Sequence, residues 1–343
     1  MTTTWAWPFT VLMLVLWGVS IVYVWRRHRP FYALVLMLGS VFAFISEYMA
    51  IRLGKYYYGE FPLKICFGTP KEPPSGLLGA LHLPMIEGCL APNFCIPLAV
   101  LALEGLVLFS ILRTADNLAV NRRSKPFLDA LLAINLDAIL DPVASKTRWC
   151  SAGDIGDLDG LGLWTWFTGP QDAGYWFGIP IANYTAWFGS VLAFTIAVRT
   201  VAHFLGAQRG HWIREVLGAL AAVAGLFVLS AAIVIALDWV LNQRYDAMWQ
   251  FGVMVVVILI SIAVVLPSMR TWKRNQPVDW LPVLVQSAIY AFCLGAILFT
   301  DKLDGKPGLI WVWLGTTFIG MSLVLAPYRK GRTPETTPVA NTV

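Results

Sequence analysis

Residues 126–142 read PFLDALLAINLDAILDP, an apolar run that carries Asp129, Asp137 and Asp141. On a helix at about 100° per residue, Asp137 lies about 80° and Asp141 about 120° round from Asp129. The three aspartates therefore share one side with Ala130 and Ala133, and the opposite side is Leu and Ile. Read alone, the run is a helix that turns acid inward and hydrocarbon outward. Carboxylic acids inside a bilayer are costly, so if this run crosses a membrane its acids are functional candidates by default.

The rest of the chain supplies the membrane. It has 343 residues, 58% hydrophobic and only 13% charged, with a mean hydropathy of +0.67. Soluble domains carry about 25% charged residues. Stretches of membrane-crossing length fall at 8–25, 31–51, 95–112, 126–142, 181–198, 213–237, 248–269, 280–300 and 308–327. The fold expected is an all-α bundle of eight or nine spans forming one domain over residues 1–327, with a disordered cytoplasmic tail at 328–343. The first span has no basic start and no small-residue cleavage site after it, so it is expected to be retained.

Hydropathy alone does not select 126–142, but charge does. With nine spans, one set of loops holds Arg26, Arg27, Arg29, Arg113, Arg122, Arg123, Lys125, Arg199, Arg209, Arg214, Arg270, Lys273, Arg274, Arg329, Lys330 and Arg332. These are most of the 25 basic residues. Removing the fourth span moves the last three clusters to the wrong side. The positive-inside rule then favours an outer N-terminus and a cytoplasmic C-terminus in the cell membrane. The net charge of +5 serves orientation and anionic lipid rather than nucleic acid.

Two long segments face the other side. Residues 52–94 are broken by Gly and Pro, and 77–91 read as a re-entrant or interfacial piece. Residues 143–180 mix Asp154, Asp157, Asp159 and Asp172 with Trp149, Trp164, Trp166, Tyr175 and Trp176. Long aromatic-rich loops of this kind point to an ordered functional side. Cys66, Cys89, Cys95 and Cys150 lie on or near it, where an oxidising compartment permits a disulfide.

Much chemistry is excluded. His28, His82, His203 and His211 form no His cluster for a di-iron centre, and there is no nucleotide-binding glycine motif, P-loop or GxSxG elbow. DIGDLDG at 154–160 lacks the later Glu of a calcium loop. What remains is cofactor-free acid chemistry in an apolar setting, with no metal site. Glu47 ends the second span, where burial would keep it protonated and ready to act as an acid, or it is an interfacial group paired with Arg52 or Lys55. Glu104 sits mid-span in IPLAVLALEGLVLF, as substrate lining or as a structural hydrogen-bonding group. Asp137 and Asp141, one turn apart, share a site or end a helix before Pro142, and Asn183 is a further buried polar group. Asp129, nearer the cytoplasmic end, reads as an early-turn helix charge.

The succession SEYMAIRLGKYYYGE (46–60), FGTP (67–70), IPLAV (96–100), LDAILDPVASKTRW (136–149) and GYWFGIPIANYTAWF (174–188) resembles the carotenoid biosynthesis membrane family. That family includes hydratases of acyclic C50 and monocyclic carotenoids, the bisanhydrobacterioruberin hydratase and carotenoid 1,2- or 2'',3''-hydratase types. The stretches PKEPPSG and DIGDLDG look like insertions against the pattern, and Glu104 stands where an aromatic is expected.

The resemblance implies acid-catalysed hydration of a terminal isoprenoid C=C to a tertiary alcohol. Asp137 or Glu47 is then the proton donor, Asp141 the base that orients water, and Asn183 a water or hydroxyl anchor. Tyr56, Tyr58, Tyr175 and Trp187, with Glu104, line the polyene end. The implied partners are a carotenoid or other isoprenoid lipid, membrane lipids and other enzymes of the pathway.

Two other readings remain open on the residues. One is a prenyltransferase- or cyclase-like enzyme holding Mg²⁺ on Asp137/Asp141 and Asp301/Asp304. The other is a transporter or assembly partner with the acids as a proton relay.

Reporter fusions at the two termini test the topology. The N-terminal fusion should report from outside and the C-terminal fusion from the cytoplasm; both reporting from one side would rule out the nine-span arrangement.

Overall fold

The computed structural model describes residues 6–28, 30–52, 55–58, 61–66, 95–146, 163–166, 175–205, 212–241, 246–272, 278–300 and 306–328. Among these are nine long helices: α1 (Ala6–Arg27), α2 (Pro30–Arg52), α3 (Leu98–Asn117), α4 (Lys125–Lys146), α5 (Ile181–Leu205), α6 (Trp212–Leu241), α7 (Ala247–Val265), α8 (Trp280–Phe299) and α9 (Lys306–Leu325). Helices satisfy their own backbone groups, which hydrocarbon cannot do for them. Eight of the nine are long and apolar enough to cross a membrane, and the chain is an integral membrane protein of all-α architecture. The readings at 77–91, at DIGDLDG, at Asp301/Asp304 and along 329–343 lie outside the described residues.

The ninth helix is α4, the aspartate helix. It packs against α3, α5, α7, α8 and α9. Its Leu and Ile side is therefore not turned to lipid as the sequence periodicity suggests. Leu128, Leu132, Leu136, Ile139 and Leu140 are all buried in the core, as are the three aspartates. Enclosure on every side lets a segment too polar for lipid sit at membrane depth. α3 is nearly as enclosed, with 89% of its apolar window buried, against 17% for α6 on the periphery.

Close approach of α2 and α3 rests on two glycines. A Cβ at Gly105 would meet Ser40 Oγ at 2.5 Å and the Leu36 carbonyl at 3.1 Å, while a Cβ at Gly39 would face the Gly105 Cα at 3.8 Å. Small residues of this kind let helix backbones approach in membranes. Glu104 precedes Gly105, so this contact carries its carboxyl against α2.

The helices alternate in direction, and side chains tie their ends into two groups. At one end Tyr23 of α1 and Arg113 of α3 both donate to Asp279, at 3.2 and 3.0 Å. Asp279 caps α8 by accepting from the Leu281 amide. Asn117 donates to Tyr328 at 3.0 Å, past the end of α9. Tyr328 is thus anchored to α3. Ser124 before α4 donates to the Val264 carbonyl of α7 at 2.9 Å. The Phe31 amide of α2 donates to Glu215 of α6 at 3.1 Å. The N-terminal end of α1 lies at the opposite end of the bundle, where Phe9 packs on Phe61 with centroids 6.1 Å apart.

Asp129 belongs to the first of these ends. It accepts from Arg199 at 2.8 and 3.2 Å, and Arg199 also donates to Asp116 at 2.6 Å. Lys125 joins Asp116 at 2.6 Å. Asp129 is thus not an isolated early-turn helix charge. It is the buried partner of an arginine that the sequence assigns to orientation.

At the opposite end three antiparallel strand pairs cover the bundle: β1 (Tyr56–Tyr58) with β4 (Trp164–Trp166), β2 (Lys64–Cys66) with β3 (Cys95–Pro97), and β5 (Tyr175–Trp176) with β6 (Ile179–Pro180). The third expected span thus starts as a strand at Cys95 and becomes helical at Leu98. Cys95 is disulfide-bonded, and Cys293 is a buried free thiol. The two residues between β5 and β6 are Phe177 at φ 50° and Gly178 at φ 90°. Positive φ at both central positions matches the twist of a two-residue hairpin, and glycine adopts it freely.

Arg199→Met should strand Asp129 as a buried charge without a partner. The expected loss of stability is about 3–5 kcal/mol, read from thermal unfolding in detergent; Asp129→Asn should cost less, because Arg199 keeps Asp116.

Candidate functional site

Glu47 lies near the strand-covered end of α2, Glu104 in α3, Asp137 and Asp141 in α4, and all four are 6–8% exposed. The fold brings them together. Tyr56 donates to Glu47 Oε2 at 2.5 Å, and Tyr58 donates to the same oxygen. The Glu104 carboxyl lies beside that of Glu47. Glu104 is in turn within electrostatic reach of Asp137 and Asp141, and Asp141 within reach of Glu47.

The two aspartates are bridged by one amide. Asn183 Nδ2 donates to Asp141 Oδ2 at 2.6 Å and to Asp137 Oδ2 at 3.2 Å. Trp164 Nε1 donates to the other Asp141 oxygen at 3.1 Å. The site is therefore a Glu pair held by two phenols beside an Asp pair held by an amide and an indole. Among the described residues no Lys, Arg or His pairs with any of the four acids. Four buried carboxylates without cations would be prohibitive in free energy, so the cluster retains protons. No group of three or more His, Cys, Asp or Glu side chains among the described residues is arranged to hold a metal.

Local sequence explains the placement. Pro142 lies inside α4, and the helix runs through it to Lys146. The aspartate before it is thus not at a helix stop, contrary to one expectation. Pro142 has no N–H to offer the carbonyl four residues back, that of Ala138. Trp176 Nε1 fills that vacancy, donating to Ala138 O at 3.0 Å. Six residues further on, the Leu163 amide donates to the Ala144 carbonyl at 2.8 Å. That bond sets the start of β4 and hence Trp164 against Asp141. On the other side, β1 pairs with β4 so that Tyr58 stands opposite Trp164 and Tyr56 opposite Trp166.

Aromatic rings wall the cluster. The Tyr56 and Trp166 centroids are 4.5 Å apart, Tyr58 and Trp164 6.0 Å, and Tyr56 and Tyr58 5.6 Å. Burial, and then the charge of Glu47, push the Tyr56 and Tyr58 hydroxyls well above the usual phenol range. Both therefore remain donors at neutral pH.

Of the residues singled out from sequence, Glu47, Tyr56, Tyr58, Glu104, Asp137, Asp141 and Asn183 share this cluster. Tyr175 is 40% exposed on β5, and the hairpin residue that reaches α4 is its neighbour Trp176. Trp187 packs half-buried against the core. Trp164 and Trp166 enter the site although the sequence shows them only as members of an aromatic loop. So does Tyr184, a buried side chain within electrostatic reach of Asp137 and Asp141. Its adjacency to Asn183 is the signal that points to it.

A family model described as carotenoid biosynthesis protein matches residues 84–257, half of the chain. The match takes in Glu104, Asp137, Asp141, Asn183 and Tyr184, and it extends past the quoted motifs into α7. Glu47, Tyr56 and Tyr58 precede it. No curated protein and no solved structure matches the chain.

Asn183→Leu removes the amide that separates two buried carboxyl groups. A loss of about 1–3 kcal/mol is expected from the unpaired groups, and Trp164→Phe should show a smaller loss because Asp141 keeps Asn183. Thermal unfolding of both variants in detergent checks the order.

Proposed function

The chain belongs to the carotenoid biosynthesis protein family, and from that premise we propose that it hydrates a terminal C=C of an acyclic or monocyclic carotenoid to a tertiary alcohol without a cofactor. The observation that carries this reading is the pairing of four buried carboxyl groups, two Glu and two Asp, behind aromatic walls and with no cation among their described partners. Hydration of an alkene needs an acid, a base and a place for a cation, and two carboxyl pairs in different surroundings divide the first two tasks.

In this reading the Glu47–Glu104 pair delivers a proton to the terminal alkene carbon. The electron pair of the double bond forms the new C–H bond and leaves a tertiary cation. The faces of Tyr56, Tyr58, Trp164 and Trp166 stabilise that charge, as aromatic quadrupoles do. Water held at the Asp137–Asp141 pair adds to the cation, and its proton passes to Asp141. Asn183 fixes both aspartates so that the water meets them in one orientation. Proton transfer between the two pairs restores the acid, so the net reaction is addition of one water.

The membrane supplies the route. A carotenoid is dissolved in the bilayer, and a site at membrane depth takes its substrate from there. The disulfide at Cys95 supports placing the strand-covered end on the oxidising side of the cell membrane.

The test is protein in lipid vesicles with an acyclic carotenoid in ¹⁸O-water. The alcohol should carry ¹⁸O, and Glu104→Gln and Asp137→Asn should each lower its rate about 10²–10⁴-fold at equal amounts of inserted protein. Absence of labelled alcohol, with magnesium-dependent consumption of a prenyl diphosphate instead, would replace hydration by prenyl transfer.

A further inference from the structure

Two buried polar atoms at the site have no partner among the described residues: the Tyr184 hydroxyl and the Trp166 indole nitrogen. Most buried polar side-chain atoms in folded proteins are hydrogen-bonded, so each exception asks for an explanation. Tyr184 is 3% exposed and sits in the first turn of α5, next to the Asn183 that bridges the aspartates. It lies within electrostatic reach of Asp137 and Asp141 but forms no hydrogen bond to either. An O–H near two carboxyl groups and bonded to neither leaves a gap of the kind that one water closes.

We propose that Tyr184 is a catalytic residue that holds the attacking water, and then the product hydroxyl, through one oxygen lone pair. The proposal rests on the hydration reading above and adds a residue to it. A buried water typically takes about three partners. Here Asp137 and Asp141 accept its two hydrogens and the Tyr184 O–H donates to its oxygen. The second lone pair is then left to face the cation. In the addition step that pair forms the C–O bond and one O–H bond breaks, with the proton passing to Asp141. Tyr184 keeps its proton throughout, so the balance of the reaction is unchanged. The residue governs capture of the cation, while protonation of the alkene belongs to the Glu pair.

Removing Tyr184 therefore separates two events that are otherwise coupled. A cation that water does not capture loses a proton and returns to alkene. In D₂O the proton delivered is a deuteron, so the returned alkene carries deuterium on the protonated carbon.

The experiment compares wild type and Tyr184→Phe in vesicles with an acyclic carotenoid in D₂O, following alcohol and deuterium in recovered substrate. In the variant, alcohol should fall at least about tenfold, while deuterium in the recovered alkene should rise above its wild-type level. Both proteins are compared at equal amounts of inserted protein, so that a loss of fold is not read as a loss of capture. Undiminished alcohol would overturn the proposal, and so would alcohol and deuterium exchange falling together. If wild type yields neither alcohol nor exchange, the hydration reading itself falls and takes the proposal with it; that result differs from the others because it needs no variant.

Discussion

The constraint on which the structure depends is the cost of an uncompensated carboxyl group away from water. Asp137 and Asp141 can sit in an apolar bundle because α4 packs against five other helices. Its leucines and isoleucines are spent on helix contacts, and the lipid-facing role passes to α6, α7 and α9. The enclosure also allows α4 to be more polar than the other eight long helices among the described residues.

Acids at the two ends of α4 are handled in opposite ways. Asp129 is neutralised by Arg199, which also binds Asp116, and that network joins α3, α4 and α5 at the end rich in basic residues. About 12 Å along the same helix, by its rise of 1.5 Å per residue, Asp137 meets an amide and other carboxyl groups but no cation among the described residues. Ion pairing makes the first end structural. Its absence at the second leaves protons as the means of neutralisation, and protons can be transferred.

The strand pairs matter because they bring hydrogen-bond donors to the acids. Tyr56, Tyr58 and Trp164 come from β1 and β4, whose pairing joins segments more than a hundred residues apart in the chain. Pro142 adds a second link. By withholding an N–H from Ala138 it frees a carbonyl, and Trp176 docks the β5–β6 hairpin on it. A residue that looks like a helix terminator serves as an attachment point within a continuous helix.

The sequence by itself determined the membrane class and the all-α bundle of long apolar helices. Length, hydropathy and the placement of Arg and Lys depend on the solvent on each side of a bilayer, which acts on every segment independently. It also marked Glu47, Glu104, Asp137, Asp141 and Asn183, because ionisable and amide groups in apolar runs are conspicuous against Leu and Val. Tertiary structure alone decided how these groups are paired. One-dimensional periodicity told that Asp129 shares a side with Asp137 and Asp141, and it could not tell that Arg199, seventy residues away, claims the first and Asn183 the other two. Nor could it choose Trp164, Trp166 and Tyr184 from a chain with 16 Trp and 11 Tyr. Aromatic residues are common at membrane interfaces, and only strand register and helix packing bring particular ones against the acids.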